Sequence, residues 1–284
     1  MLSHLYQVSF GGTLIWIKTH PLMPELAEVE YFRKRWNPGL GEKILRLEMH
    51  PPTRLFRGLD PALMQEMLTG SRLRDSEARG KQMLFRFDRA TLGLHLGMTG
   101  ELRLEPAGFR PGKHDHLALF QKNQTLVFAD PRQFGRLIFQ PGRADPVWWT
   151  ALPPDVLSKE FSQEALTAFL HRRKAAPLKA VLLMQERFPG VGNWMADEIL
   201  WRARLHPATR AGKVSDPGAL WKTIRTVCRD ALRVIGTHWN DPPDDWLFPH
   251  RWQDGGFCPR CGGDLQRAPV GGRTTCWCPR CQPK

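Results

Sequence analysis

The octet MPELAEVE, residues 23–30, opens the part of this 284-residue chain whose fold can be interpreted from its pattern. Apolar residues recur through it and beyond it at helical spacing, and the run NPG at 37–39 would stop a helix. The pattern therefore predicts a helix over 24–36.

Short apolar segments with partial alternation follow this helix, separated by Gly, Pro, Asp and Asn. They are residues 44–49, 83–87, 101–104, 117–120, 126–128 and 136–139. Segments of this length and spacing predict a β-sandwich or a barrel. A Pro-rich stretch at 141–154 is interpreted as a linker.

The period becomes helical after the linker. Helices are predicted over 162–173, 178–185 and 194–205. Asn193 follows a PGVG turn and is a good N-cap for the third of these helices. Asp216 and Pro217 are expected to open a fourth helix, as cap and first residue, and Gly236 to close it. Residues 237–257 show no pattern that assigns a structure.

The charge balance is strongly basic. The chain has 41 Lys and Arg against 28 Asp and Glu, which gives a net charge of +13 and a pI of about 9.9. Such a charge indicates a polyanionic partner, with nucleic acid as the first candidate and a generically basic protein as the alternative. No run approaches the roughly 20 apolar residues of a membrane helix, and the first 20 residues lack the features of a secretory signal.

Two CxxC pairs lie near the C-terminus, Cys258 with Cys261 and Cys278 with Cys281, with sixteen residues between them. Four thiolates at this spacing are typical of one tetrahedral, structural Zn²⁺. Cys276 is an extra thiol that could replace Cys278 as a ligand, although CxxC symmetry favours Cys278. A disulfide framework is the weaker alternative.

The start of the octet carries chemistry of its own. If translation begins at Met23 and this residue is removed, Pro24 presents a free secondary amine, and an α-amino group titrates at about pH 8. Such an amine attacks a sugar C1′ to give an iminium ion, and Glu25 would lie beside it to move protons. Residues 1–22 conflict with this chemistry, because a Pro24 inside a peptide bond is not nucleophilic. We expect this leader to be absent from the mature protein.

Six separated motifs occur in one order along the chain. They are MPELAEVE (23–30), RGK (79–81), HLGMTG (95–100), KHDH (113–116) with DPRQFG (130–135), PGVGNWMADEIL (189–200) and RTTCWCPRCQ (273–282). Together they resemble the bacterial formamidopyrimidine-DNA glycosylase family, over roughly residues 23–284. The related endonuclease VIII branch is the less similar one.

The resemblance implies an α+β multidomain fold: a β-sandwich with a leading helix, a helix-two-turn-helix domain and a zinc β-ribbon. The expected boundaries are leader 1–22, catalytic domain 23–150, DNA-binding domain 151–250 and zinc finger 251–284. It implies a DNA-formamidopyrimidine glycosylase with DNA-(apurinic or apyrimidinic site) lyase activity. Such an enzyme removes oxidised purines from double-stranded DNA by flipping the base and nicks the abasic strand by β,δ-elimination. We expect a monomer in a bacterial cytoplasm, associated with the nucleoid.

The resemblance also assigns catalytic roles. Pro24 matches the nucleophile that forms the Schiff base, and Glu25 matches the acid that protonates the sugar ring oxygen. Lys81 matches a hairpin lysine that contacts phosphate and assists elimination. Arg273 matches a finger arginine that binds phosphate and supports the second elimination.

Further positions match DNA-contacting residues of the family. Met98, Arg132 and Phe134 match the side chains that fill the void left by the flipped base, with Arg132 also pairing with the orphaned base. Without the resemblance, Met98 and Phe134 would be interpreted as core residues. Positions that match backbone contacts are His114, Lys174, Lys179 and Asn193.

Two departures from the family pattern bear on function. Ala27 replaces the family's usual Pro, which costs a helix little. Residues 236–256 lack the Gly/Pro/Tyr/Phe pattern of a lesion-recognition loop, so oxidised pyrimidines are an alternative substrate class. Two further hypotheses stay open: a non-catalytic damaged-DNA-binding paralogue, and a zinc-ribbon component of transcription or translation machinery.

Overall fold

The computed structural model describes residues 5–10, 13–18, 23–50 and 54–284. Within the expected leader, β1 (Leu5–Phe10) and β2 (Thr13–Lys18) form an antiparallel hairpin. The remainder of the leader lies outside the described residues.

The predicted first helix is confirmed as α1 (Leu26–Lys34). It ends shortly before the NPG run, which forms a 3₁₀ turn at Asn37–Gly39. Ala27, at the family's usual Pro position, is fully buried. Because this position is enclosed, the small side chain lets α1 lie between the two large domains of the molecule.

A β-sandwich follows α1, as predicted. One antiparallel sheet has the order β10-β6-β5-β4 and the other β3-β8-β9-β7. The strands are β3 (Arg46–Met49), β4 (Leu73–Arg79), β5 (Gln82–Phe87), β6 (Ala90–His95), β7 (Glu101–Pro106), β8 (Asp115–Phe120), β9 (Gln124–Ala129) and β10 (Arg136–Pro141). Side chains such as Phe85, Leu94 and Phe128 from both sheets form one core.

Besides the hairpin β1–β2, two strands of the sandwich and two helices were missed from the sequence. The outward face of β4 carries the acids Asp75 and Glu77, whose charges are balanced by Arg86 of β5 at 2.8 Å and 2.9 Å. In β6, Gly93 lies under Trp148, where a Cβ atom would come within 2.4 Å of the indole ring. The helices are α2 (Pro61–Leu68) and α3 (Val147–Thr150), the latter inside the expected linker.

The second half is helical, as predicted, with α4 (Gln163–Arg172), α5 (Leu178–Leu182), α6 (Asn193–Arg202) and α7 (Pro217–His238). Asp216 caps α7 by accepting from the Ala219 N–H at 2.8 Å. The prediction that Asn193 caps α6 is wrong: Asn193 is the first helical residue and Gly192 the N-cap. The peptide N–H groups there are satisfied by a side chain of α1 instead, described below.

The end of α7 also differs from expectation. The helix runs past Gly236 to His238, and Trp239 follows in the left-handed conformation with φ of 54°. Trp239 packs on Tyr31 of α1 with ring centroids 4.5 Å apart, and Lys34 donates to the Gly236 carbonyl at 3.0 Å. The contact with α1, rather than the glycine, therefore sets where α7 ends.

After α7, Trp246, Phe248 and Trp252 pack against the core of the helical domain, with a 3₁₀ turn at Phe248–His250. The zinc ribbon that follows pairs β11 (Gln266–Val270) with β12 (Arg273–Trp277). Gly271 and Gly272 make the turn, and both have positive φ, 61° and 79°, which suits a two-residue hairpin loop. Across the described part of the chain, no helix is both long and apolar enough to cross a bilayer.

Candidate functional site

The carboxylate of Glu25 lies at the N-terminus of α6. It accepts hydrogen bonds from the peptide N–H groups of Gly192 at 2.8 Å, Trp194 at 2.9 Å and Met195 at 3.1 Å. These are groups that a helix cannot satisfy internally, and the helix dipole favours an anion at this end. The residue that follows Pro24 is thus bound to the other domain.

A second carboxylate, that of Glu28, lies beside the first. Its Oε2 accepts from the Glu25 peptide N–H at 3.1 Å, and its Oε1 accepts from the indole N–H of Trp194 at 3.0 Å. Both acids are buried, with Glu25 2 % and Glu28 4 % exposed. We call Glu25 and Glu28 the acid pair.

Burial and mutual repulsion perturb the acid pair. Desolvation raises the pKa of Glu25 above its ordinary value, although nearby Lys81 and the peptide N–H groups of α6 act against this shift. Desolvation and the neighbouring Glu25 raise the pKa of Glu28 to about 8. Near neutral pH the pair therefore retains a proton next to Pro24, which is what acid–base chemistry requires.

Glycines bring three chain segments together at the acid pair. A Cβ atom on Gly192 would come within 2.2 Å of the Glu25 carboxyl carbon. Gly80, with φ of 58°, faces Pro189 and Gly190, where a Cβ atom would approach to 2.9 Å. The Leu26 N–H donates to the Gly190 carbonyl at 3.0 Å. Side chains at these positions would push the hairpin β4–β5, α1 and α6 apart.

Lys81 lies at the tip of that hairpin and is partly buried. The pKa of Lys81 is lowered, mainly by desolvation and also by the charge of Arg273. The charges of Glu25 and Glu28 act in the opposite direction. Arg273 begins β12 of the finger and is exposed. Lys81 thus lies within electrostatic reach of both the acid pair and Arg273, a cation from a distant part of the sequence.

A hydrogen-bonded loop at residues 130–135 carries two of the three candidate void-filling residues, Arg132 and Phe134. The Asp130 carboxylate accepts from the Thr99 hydroxyl at 2.6 Å and from the Gly135 N–H at 2.7 Å. Phe134 is 47 % exposed, and the Arg132 guanidinium lies 4.9 Å from its ring centroid. A large apolar side chain held in solvent by a tight loop suits insertion between stacked bases.

The four cysteines predicted as ligands lie together, with all four sulfur atoms within 4.8 Å of one another. Cys258 and Cys281 have their Sγ atoms 3.9 Å apart, and Cys261 and Cys278 3.5 Å apart. Tetrahedral thiolates around Zn²⁺ are about 3.8 Å apart. The donor set therefore fits one structural zinc ion. Cys276 is not part of the cluster, so the alternative that it replaces Cys278 is wrong.

A buried ion-pair cluster lies one turn further along α6. The Asp197 carboxylate binds Lys179 Nζ at 2.5 Å, Arg251 Nη2 at 2.5 Å and the Cys276 peptide N–H at 3.1 Å. Asp197 and Lys179 are both fully buried, and Arg251 nearly so. We call Asp197, Lys179 and Arg251 the Asp197 cluster. It joins α5, α6, the segment before the finger and the finger itself.

Comparison with known proteins agrees with these positions. Three family models match: the formamidopyrimidine-DNA glycosylase N-terminal domain over residues 23–137, its H2TH domain over 152–241, and the zinc finger found in FPG and IleRS over 255–284. The formamidopyrimidine-DNA glycosylase of Methylococcus capsulatus is 38% identical, with 92% of this chain aligned to 100% of that protein.

The chain belongs to the formamidopyrimidine-DNA glycosylase family. The Thermus thermophilus member is 37% identical over 92% of this chain and 98% of its own length. Solved structures agree: the Lactococcus lactis Fpg bound to DNA with an oxidised pyrimidine superimposes with a TM-score of 0.82, at 28% identity over 92% of this chain and 100% of that one. The same protein bound to abasic-site DNA gives a TM-score of 0.81.

Most positions matched to the glycosylase family face solvent or the junction of the domains. His114 and Lys174 are exposed, and Met98 is half-buried. Asn193 donates its side-chain N–H to the Thr274 carbonyl at 2.9 Å, which links α6 to the finger. Pro24 is buried next to Glu25.

The prediction that Lys179 contacts the DNA backbone needs correction. Lys179 is 0 % exposed, and its ammonium donates to Asp197 and to the Asn193 carbonyl at 2.6 Å. Its family position is therefore structural in this chain: it supports the first turn of α6 from below rather than binding a phosphate.

The sequence interpretation missed Glu28, Trp194, Asp197 and Arg251. Glu28 lies three residues after Glu25, and this spacing could have indicated a shared turn of the helix. Asp197 and Glu198 lie in an otherwise apolar stretch of a glycosylase motif, which suggests buried, paired acids. For Arg251 no local signal exists, because its partner is 54 positions away.

Proposed function

We propose that this glycosylase removes an oxidised base from duplex DNA through a Schiff base on Pro24 and then cleaves the abasic strand. The observation that carries the proposal is the acid pair: the residue next to Pro24 is a buried acid at a helix N-terminus, within electrostatic reach of Lys81. Three motifs that are far apart in sequence meet at this point.

The chemistry uses these residues in sequence. The Pro24 nitrogen forms a bond to C1′ as the bond from C1′ to the base breaks, and the N–H proton that Pro24 loses balances the proton with which the base leaves. Glu25 donates a proton to the ring oxygen, so the sugar opens to an iminium ion. Loss of a C2′ proton then expels the 3′ phosphate, and a second elimination expels the 5′ phosphate. Lys81 and Arg273 bind the departing phosphates.

The nucleophile requires an unblocked Pro24. The family model begins at residue 23, and the Methylococcus capsulatus relative is covered completely by 92% of this chain. Residues 23–284 thus match a whole relative, and Pro24 follows a Met that aminopeptidases remove before small residues. We propose that the active form begins at Pro24.

Base flipping is supported by the exposed loop at 130–135. Phe134 would occupy the gap in the stack, with Met98 beside it, and Arg132 would pair with the orphaned base. Arg132→Ala should slow removal of a damaged base about tenfold more than it slows cleavage of a preformed abasic site. Equal losses on both substrates would contradict the void-filling role.

Oxidised purines are the first substrate class, because the six motifs resemble the formamidopyrimidine-DNA glycosylase branch more than the endonuclease VIII branch. Oxidised pyrimidines are the second, because residues 236–256 lack the family's lesion-loop pattern. One of the solved relatives is bound to DNA with an oxidised pyrimidine. Parallel assays on duplexes with 8-oxoguanine and with an oxidised pyrimidine separate the two classes.

Borohydride trapping tests the proposal directly. The 284-residue chain and a form beginning at Pro24 are incubated with an abasic duplex and with an 8-oxoguanine duplex, then reduced. We expect a covalent adduct from the shorter form, and none from its Pro24→Gly variant or from the blocked chain. Tight binding of the damaged duplex with no adduct or strand cut from either form would favour the non-catalytic paralogue.

The preference for damaged DNA and the cellular location are the last parts of the proposal. A zinc-ribbon component of transcription or translation machinery would not prefer damaged over intact DNA. Competition between the two duplexes tests this alternative, which a preference for the damaged duplex would exclude. Action on chromosomal DNA agrees with a nucleoid-associated cytoplasmic protein. That location, the monomeric state and the domain boundaries stay predictions.

A further inference from the structure

Trp194 contacts both members of the acid pair. Its peptide N–H donates to Glu25 at 2.9 Å, and its indole N–H donates to Glu28 at 3.0 Å. The side chain is fully buried in the core of the helical domain. One residue of α6 therefore holds two carboxylates of α1.

The contact with Glu28 extends to Pro24. The other Glu28 oxygen accepts from the Glu25 peptide N–H at 3.1 Å, and this nitrogen belongs to the peptide that joins Pro24 to Glu25. Two hydrogen bonds thus run from the indole ring, through Glu28, to the peptide plane that carries the proposed nucleophile.

The indole ring itself is fixed. Phe248 packs edge-on against it with ring centroids 5.0 Å apart, and the Phe248 N–H donates to Glu198 of α6 at 3.1 Å. A donor held in this way needs little reorganisation when the chemistry occurs, which is the requirement for positioning a reactive group.

Resting on the proposed Schiff-base chemistry, we propose that Trp194 is a positioning residue for Pro24. Its indole N–H fixes Glu28, and Glu28 fixes the peptide between Pro24 and Glu25. Trp194 acts through these two contacts and touches no reacting atom.

The charges around the acid pair make the relay measurable by pH. Lys81 faces it from the hairpin β4–β5, Arg251 from the segment before the finger, and Lys179 from α5. The indole N–H favours the charged form of Glu28 and so lowers its pKa, against desolvation and Glu25, which raise it. Since an indole N–H is a donor at every accessible pH, its removal shifts the titration of Glu28 upward.

Trp194→Phe keeps the ring contact with Phe248 and removes the N–H. The variant is made in the form that traps abasic DNA in the experiment above. We expect the single-turnover trapping rate to fall about tenfold, or roughly 1.4 kcal/mol, with duplex affinity changed less than about twofold. The inflection of the trapping rate that belongs to Glu28 should move up by about half a pH unit.

Trp221→Phe is the matched control, because it removes an indole hydrogen bond to the Phe161 carbonyl, 2.7 Å long, elsewhere in the same domain. Its trapping rate and pH profile should equal those of the unaltered protein. In a double-mutant cycle, Trp194→Phe should lower the trapping rate less in the Glu28→Gln background than in the unaltered protein.

A second pair of variants keeps the test decisive if Trp194→Phe folds poorly. Glu28→Gln retains one of the two oxygen acceptors that the relay uses and Glu28→Leu retains neither, so the Leu variant should trap more slowly. Equal rates for these two, additive losses in the cycle, or a Trp194→Phe protein with normal rate and pH profile would overturn the relay alone. Absence of any adduct from the unaltered protein would overturn the proposed function and the relay with it.

Discussion

Two groups of buried charges meet α6: the acid pair of α1 lies at its N-terminus, and the Asp197 cluster lies one turn further along. They differ in how their charges are matched. In the Asp197 cluster one carboxylate meets two cations and a peptide N–H, all at 3.1 Å or less. In the acid pair two carboxylates lie together, and their hydrogen-bond donors are neutral N–H groups. Buried charges that pair with opposite charges connect parts of the structure. Buried acids that lie next to each other instead have shifted pKa values, which suits them to acid–base chemistry.

Removing the acid that lies next to Pro24 should have the largest effect. Glu25→Gln keeps the size of the side chain and loses its proton, so we expect single-turnover base release to fall about 10³-fold. Glu30→Gln is the control, since Glu30 forms a partly exposed ion pair with Arg33 on the same helix. Base release by Glu25→Gln at the normal rate would place the chemistry elsewhere.

Breaking the Asp197 cluster should affect stability instead. Asp197→Ala leaves two buried cations without their partner, and we expect the free energy of unfolding to fall by about 3–5 kcal/mol in urea titrations. Asp230→Ala, which breaks the more exposed pair with Arg202, should cost about 1 kcal/mol or less.

A triple replacement sharpens this second test. Lys179→Met, Asp197→Leu and Arg251→Met together remove all three charges, so much of the lost stability should return. If the triple variant is no more stable than Asp197→Ala, the loss in the single variant does not come from unpaired cations.

Zinc removal should release the finger that the Asp197 cluster anchors. Chelation should free one Zn²⁺ per chain, read with a metal indicator dye, and weaken duplex binding about tenfold, since Arg273 is no longer held near Lys81. Cys278→Ser should reproduce the weakening, whereas Cys276→Ser should leave the zinc content at one ion. A native protein with almost no zinc would refute the site.

The last prediction concerns the free energy of unfolding and its change with each pH unit. Glu28 has a pKa of about 8 against an ordinary 4.5, so it binds its proton more tightly in the folded protein. Between these pH values the unfolded chain has lost the proton and the folded protein has not, so rising pH favours unfolding by up to about 1.4 kcal/mol per unit. Above pH 8 this slope ends. Urea titrations from pH 5 to 9 should show a flatter profile for Glu28→Gln; parallel profiles would contradict the buried proton.

The sequence predicted the architecture where local pattern decides it. The fold class, the four clustered cysteines and the first helix are confirmed, because alternation, CxxC spacing and a helical stripe are short-range signals. The strand β4 was missed, since its acids Asp75 and Glu77 find their partner Arg86 only once the next strand lies beside them. The cap of α6 was wrongly given to Asn193, since the real partner of those N–H groups comes from α1.

The candidate site was predictable in part for the same reason. Pro24 and Glu25 stand out in one octet, whereas Lys179 looked like a phosphate ligand until its burial with Asp197 was visible. Glu28 and Trp194 gain their roles only through a contact between residues 166 positions apart. Pairings at that separation depend on the assembled domains, which no local pattern encodes.

The bond between Glu25 and the start of α6 spans 167 positions of the chain. During synthesis α1 leaves the ribosome long before α6 exists. Its carboxylates are therefore hydrated for most of translation, and their pKa values are not raised by burial. An incomplete polypeptide that ends before residue 192 has both acids but lacks the helix start that encloses them, so it lacks the burial that raises their pKa values.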